Sequence, residues 1–246
     1  MLLVLPPSET KRDGGVDDAA LDLAALGYPA LTLPRRRAIA ALRALCRNVA
    51  AARSGLRLGS TQRFEIDRNR SLTTSPVMSA IDRYTGVLYD GFVAATLTPD
   101  QRIFAEDHVV ITSALFGVLR AGDPIPAYRL SHDSRLPGMP LRRHWSEPVS
   151  AALATHEELI LDLRSEAYAA LGPAPASSFS LRVVSENERG RRVALSHFNK
   201  QGKGEFARAV VAAGIDHGSV DSLLGWAAAS GIPLERGAEG ELELVV

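Results

Sequence analysis

Residues 109–130, VVITSALFGVLRAGDPIPAYRL, decide how this chain is read. Val109 to Thr112 is a β-branched run that suits a buried central strand. It leads at once into small and polar residues, Ser113, Gly117 and Arg120, and then into DPIPAYRL, 123–130, read as a proline-stiffened loop from Asp123 followed by a strand. Residues 2–11, LLVLPPSETK, repeat the arrangement. Leu2 to Leu5 reads as a short buried strand, and Pro6-Pro7 ends it. A hydroxyl, a carboxylate and an amine (Ser8, Glu9, Lys11) follow at the strand's exit. Apolar strands that end in polar loops are the signature of an α/β protein with its site at strand ends.

The remaining pattern alternates helices and strands without a strict βαβ rhythm. A short helix is expected near 17–26. A longer one runs over 34–54, opened by Pro34 and stopped by Gly55. SGLRLGSTQR (54–63) reads as a turn between helices. Further helices are expected from Ser75 to Arg83, near 145–155, from Ser165 to Gly172, over 204–213, and over 219–229 with Ser219 as N-cap. Strands are expected at 158–163, as a hairpin of 179–185 with 191–197 around Asn187-Glu188-Arg189-Gly190, and as an edge strand in the terminal ELELVV. The expectation is a single domain over 1–246, α/β with α+β as the variant, built as a mixed sheet flanked by helices.

The 246 residues are 46% hydrophobic and 23% charged, so a core can form without disulfides or a metal. No apolar run approaches the ~20 residues of a membrane span. The first residues lack the basic region of a signal peptide, and Cys46 is the only cysteine. A reducing cytoplasm is therefore expected, with Cys46 packed on an apolar helix face. The six histidines are scattered and CxxC and HExxH are missing, so neither metal nor cofactor is expected.

Charge is uneven although 28 basic and 28 acidic residues balance. Ten arginines stand between Pro34 and Arg70 against Glu65 and Asp67 alone. Arg36, Arg43 and Arg47 line one face of the helix there, opposite Ile39, Leu42, Leu45 and Cys46. Such a stripe suits phosphate. Only three lysines occur, Lys11, Lys200 and Lys203. Polar clusters recur at strand exits: Ser8, Glu9 and Lys11; Arg83, Tyr84 and Thr85 with Tyr89 and Asp90; Ser113, Arg120 and Asp123 with Tyr128 and Arg129; Asn199, Lys200 and Lys203. Cations beside tyrosines suit an anionic planar ligand such as a nucleotide.

Five segments in order, LLVLPPSETK (2–11), RYTGVLYDGF (83–92), ITSALFGVLRAGDPIPAYRL (111–130), LDLRSEAY (161–168) and SHFNKQGKG (196–204), closely resemble the YaaA family of peroxide-stress proteins. The resemblance implies an α/β fold of its own type with a basic cleft and a helix-hairpin-helix-like element. It also implies a cytosolic protein that binds double-stranded DNA and limits iron-driven oxidative damage. The basic helix 34–54 and the SGLRLG turn are the segments that suit the element, with Arg36, Arg43, Arg47 and Arg57 gripping phosphates. No base-reading code is visible, so binding is expected to be structure-selective or non-specific. The alternative is an enzyme on a nucleotide or nucleobase. There Lys11 would be the reactive amine, Glu9 or Asp90 its partner, and Arg120 and Arg129 the anion holders.

Overall fold

The computed structural model describes residues 1–16, 19–186, 192–194 and 198–246; side chains of 192–194 and 198 are not described. The expected turn Asn187–Gly190, and Ser196 and His197, lie outside the described residues.

The strands are β1 (Leu2–Leu5), β2 (Val77–Ser79), β3 (Val109–Ser113), β4 (Gly117–Arg120), β5 (Pro124–Pro126), β6 (Ile160–Asp162), β7 (Phe179–Glu186), β8 (Arg192–Ala194), β9 (Leu234–Arg236) and β10 (Glu241–Val245). The main sheet has the order β4-β3-β1-β6-β7-β10-β9, with β8 added on β7. Its centre, β3-β1-β6-β7-β10, is parallel throughout, while β4, β8 and β9 pair antiparallel. β2 and β5 form a separate antiparallel pair. Every residue of β1, β3 and β6 is buried, because helices cover both faces of a parallel sheet and continuous apolar runs are what such strands require.

The helices are α1 (Thr32–Leu45), α2 (Val49–Gly55), α3 (Phe64–Arg70), α4 (Ala80–Arg83), α5 (Val87–Phe92), α6 (Pro99–His108), α7 (Leu141–Leu153), α8 (Glu166–Ala169), α9 (Phe198–Ala213) and α10 (Val220–Ala229). Several start on side-chain caps. Thr98 and Gln101 form a reciprocal capping box on α6, and Ser219 accepts from the Ser222 N–H on α10. No helix of the described residues is long and apolar enough to cross a membrane.

Four local expectations are corrected. The helix expected over 34–54 is two helices, because Asn48 leaves helical geometry and caps the Ala51 N–H. Residues 19–26 form turns rather than a helix. Ser75–Arg83 contains β2 and only one helical turn, α4. The terminal strand β10 lies inside the sheet between β7 and β9, and the edge is β9. Its alternating Glu and Leu residues gave it the look of an edge.

Buried arginines tie the layers together. Arg35, fully buried, donates to the carbonyls of Phe116, Gly27 and Val118 at 2.7–2.9 Å. Arg164 grips the Asp162 carboxylate and the Gly172 carbonyl. Cys46 is a buried free thiol in the core.

Candidate functional site

From β1 the chain travels toward β3 on one side, and from β6 it travels toward β7 on the other. Loops leaving neighbouring parallel strands in opposite directions open a crevice at their carboxyl ends, the place where open α/β sheets bind ligands. A cavity of about 590 Å³ lies there. Pro6 to Thr10, after β1, form one wall, and Leu163, Ser165 and Tyr168, after β6, form another. Thr85 to Tyr89 and the first residues of α9 (Asn199, Lys200, Lys203) close it, and His132 completes the rim.

Each part is held by local chemistry. Gly86 has φ +99, and a Cβ there would come 3.1 Å from Ser8 Oγ, so the loop before α5 can press on the β1 loop only as glycine. Thr85 Oγ1 donates to Thr10 Oγ1 at 3.0 Å, and Tyr89 donates to the Pro6 carbonyl at 2.9 Å. Helix α9 lies hard against α5: a Cβ on Gly204 would stand 2.0 Å from the Leu88 carbonyl oxygen. This close approach brings Lys200 and Lys203 over the cavity. The His132 and Tyr168 rings meet edge to face at 4.9 Å.

Lys203 Nζ donates to the Leu163 carbonyl at 3.0 Å. Burial lowers its pKa to about 8, with the Asp162 carboxylate opposing. The Asn199 amide oxygen is buried with no hydrogen-bond partner among the described residues. Glu9 faces the cavity and is paired with Arg129. Two ammonium groups, three rings and several hydroxyls thus face a space large enough for a nucleotide.

Of the residues singled out from sequence, Ser8, Glu9, Thr85, Tyr89, Asn199, Lys200 and Lys203 line this cavity. Lys11 does not. Its ammonium lies behind the loop, donating to the carbonyls of Ser8 (2.7 Å) and Glu9 (3.3 Å), over the faces of Tyr128 (4.2 Å) and Tyr84 (5.1 Å). Tyr84, Tyr128 and Ser113 form a buried hydroxyl chain with 2.7 Å links. Burial lowers the Lys11 pKa to about 7; Glu65 opposes and Arg129 adds to the shift.

The others stand apart. Arg83 is fully buried and bound to four main-chain carbonyls, so its guanidinium is not available to a ligand. Asp90 is on the exposed side of α5, away from Lys11's contacts. Asp123 accepts from the Gly27 and Arg120 N–H groups in a turn. Arg120 lines a different cavity. Thr10, His132, Ser165 and Tyr168 were not singled out, although Ser165 and Tyr168 fall inside the LDLRSEAY segment. Among the described residues no group of three His, Cys, Asp or Glu is placed to hold a metal.

The two amines give a pH prediction. The unfolded chain keeps a proton on each lysine up to about pH 10.5, while the folded chain releases them near 7 and 8. The unfolded state then binds more protons, so stability rises with pH between these values. A gain of about 5 kcal/mol is expected from pH 7 to pH 9.5 in urea unfolding, and Lys11→Gln should remove about half of the rise. A stability that does not change across this range would mean that both amines stay protonated in the fold.

The basic segment makes a second surface. Arg35 is internal, Arg68 pairs with Asp13 and Glu65, Arg70 with Asp67, and Arg57 with Asp133. Arg36, Arg43, Arg47, Arg53 and Arg63 are exposed, and their side chains make no hydrogen bond or ion pair among the described residues. Arg43, Arg47 and Arg70 flank a shallow groove floored by Ala40 and Ala44. Helices α2 and α3 are joined by residues 56–63, with Arg57 at φ +53. Arg57 pairs with Asp133, the neighbour of the cavity residue His132, so the arginine face and the cavity rim meet at this loop.

Residues 1–230 match the family described as peroxide stress protein YaaA. The chain is 42% identical over 241 residues to a UPF0246 protein of Corynebacterium glutamicum, covering 96% of this chain and 95% of the relative. It is 41% identical over 253 residues to one of Corynebacterium efficiens, covering both in full. It is 37% identical over 222 residues to one of Streptomyces coelicolor, covering 87% and 84%.

Proposed function

This chain belongs to the YaaA family of peroxide-stress proteins, and from that premise we propose that it binds double-stranded DNA in the cytoplasm and limits iron-driven oxidative damage there. The observation that carries the reading is the set of exposed arginines on α1 to α3 without an acidic partner. Ion pairing inside the protein would have to be broken before such groups could meet phosphate; here nothing has to be broken. Helices α2 and α3 with their connection serve as the helix-hairpin-helix-like element. Contacts are to backbone phosphate, and selectivity is for structure rather than sequence. Protection works through the DNA that is covered. In fluorescence anisotropy with a labelled 30-base-pair duplex, affinity should fall about 100-fold or more between 50 and 200 mM salt. Affinity independent of salt would refute phosphate contact.

A second reading is favoured by the cavity at the switch between β1 and β6. There the protein takes up a nucleotide or a nucleobase exposed from DNA, with the phosphate on Lys200 and Lys203 and the base against Tyr168 and His132. If the site is catalytic, Lys203 is the amine at the ligand, and Lys11 with Glu9 and Arg129 holds the β1 loop in place. Nucleoside monophosphates should raise the melting temperature of the wild type and not of a Lys200→Ala/Lys203→Met variant.

A further inference from the structure

The sheet has a second cavity, of about 600 Å³, at the amino ends of its parallel strands and sharing no residue with the first. The 3-10 turn Pro29–Leu31 and Tyr28 form one side, α7 another, and α6 with the start of β3 and the end of β4 the third. Neither proposed reading uses it. We propose that this cavity binds a small zwitterion, an ammonium and a carboxylate on an apolar body, of the size of a free amino acid or dipeptide.

The wall carries one guanidinium, Arg120, and two carboxylates, Glu106 and Asp107, all three exposed. Arg120 makes no side-chain hydrogen bond or ion pair among the described residues, and neither does Glu106. The two influence each other electrostatically but do not pair. Each is laid across a glycine. A Cβ on Gly27 would stand 2.9 Å from Arg120 Cγ, and one on Gly122 would stand 2.0 Å from Glu106 Oε2. Any other residue at either position would displace the charged side chain. The guanidinium fork suits a carboxylate, and the Glu106 carboxylate suits an ammonium. Burial, then the nearby Asp123, raises the Glu106 pKa; Arg120 opposes the shift and Asp107 adds to it.

The rest of the lining fits the body of such a ligand. Leu31, Val110 and Pro148 supply apolar wall. Tyr28 is fixed in the left-handed region, φ 58 and ψ 66, which is strained for a bulky residue. Its hydroxyl is 2.9 Å from His156 Nε2, and His156 Nδ1 is 3.0 Å from Glu158. The chain of three holds a polar hydroxyl at the wall at the expense of backbone strain, which is how binding sites are commonly built.

Isothermal titration of the full chain with L-leucine tests this. Saturable binding with a Kd on the order of 0.1 to 1 mM is expected. 4-Methylpentanoate, which lacks the ammonium, and 3-methylbutylamine, which lacks the carboxylate, should each bind about tenfold more weakly or worse. Arg120→Gln and Glu106→Gln should each weaken leucine binding about tenfold. Ala151→Phe, at an exposed lining position of α7, should block binding while the melting temperature stays near wild type. L-leucyl-L-leucine binding more tightly than leucine would assign the dipeptide as the ligand and uphold the site. No saturation by leucine or the dipeptide at ~10 mM, or equal binding of glycine or of the half-ligands, would overturn it.

Discussion

Replacing Arg83 by alanine is expected to lower the unfolding free energy by about 4 kcal/mol or more. The side chain is fully buried and donates to the carbonyls of Ile125 (3.1 Å), Arg12 (2.6 Å), Gly14 (2.9 Å) and Pro76 (3.0 Å). These carbonyls come from three separate stretches of chain, the loop after β1, the approach to β2, and β5. β2 and β5 are paired by their own ladder, but the loop after β1 meets them only through single bridges, Val16 with Val77 and Lys11 with Tyr84, so the guanidinium fastens that loop to the pair. Its loss leaves acceptors buried and unpaired, at about 1–3 kcal/mol each. Lysine cannot replace it, because a single ammonium cannot reach four acceptors spread around a planar fork. Urea unfolding of Arg83→Ala and Arg83→Lys measures this, with the exposed Arg36→Ala as a control expected within about 0.5 kcal/mol of wild type. A loss below about 1 kcal/mol would show that water reaches these carbonyls and that the junction is held by other contacts.

Arg83 also marks the limit of what the residues disclose in order. In a chain with 25 arginines, the residue type does not say whether a guanidinium meets a ligand, an acid or the main chain. Arg83, Arg120 and Arg129 all follow polar strand exits, yet one clamps carbonyls, one lines a remote cavity and one pairs with Glu9. That sorting is decided by tertiary packing across about 40 to 120 residues of sequence separation. Features set by short-range pattern were legible. β1 and β3 show in unbroken apolar runs, and the β1 loop with Lys200 and Lys203 shows in polar residues at element ends. Asn48 could have been read as the cap that splits the basic helix, since Asn is a strong N-cap residue. His132 and Tyr168 form an edge-to-face pair only because two loops meet above β6 and β1, and neither residue has a local signal for that. The place of β10 within the sheet was likewise hidden, because β9 and β7 on its two sides are chosen by chain topology and not by its own alternation.

Substituting Arg36, Arg43 and Arg47 together by alanine is expected to weaken duplex binding about 100-fold at 0.1 M salt. All three are exposed on or just after α1 and have no internal partner among the described residues, so removal should not disturb the fold. Three lost phosphate contacts should reduce the slope of log affinity against log salt by about 2.7. The effect should be the same for unrelated sequences, because no base edge is being read. Arg68→Ala makes the contrasting variant: its guanidinium is already paired with Glu65 and Asp13, so it should lose stability more than affinity. The double variant Lys200→Ala/Lys203→Ala separates the two surfaces. If DNA lies along α1 to α3 alone, it binds duplex as the wild type does. If a strand also enters the cavity at the β1 and β6 exits, it loses affinity for DNA with unpaired bases but keeps affinity for perfect duplex. An arginine triple variant that binds duplex as tightly as wild type would remove α1 to α3 as the DNA surface. The adjoining loop would then be the next place to look, since it carries Arg57 to Asp133 and His132 to the cavity.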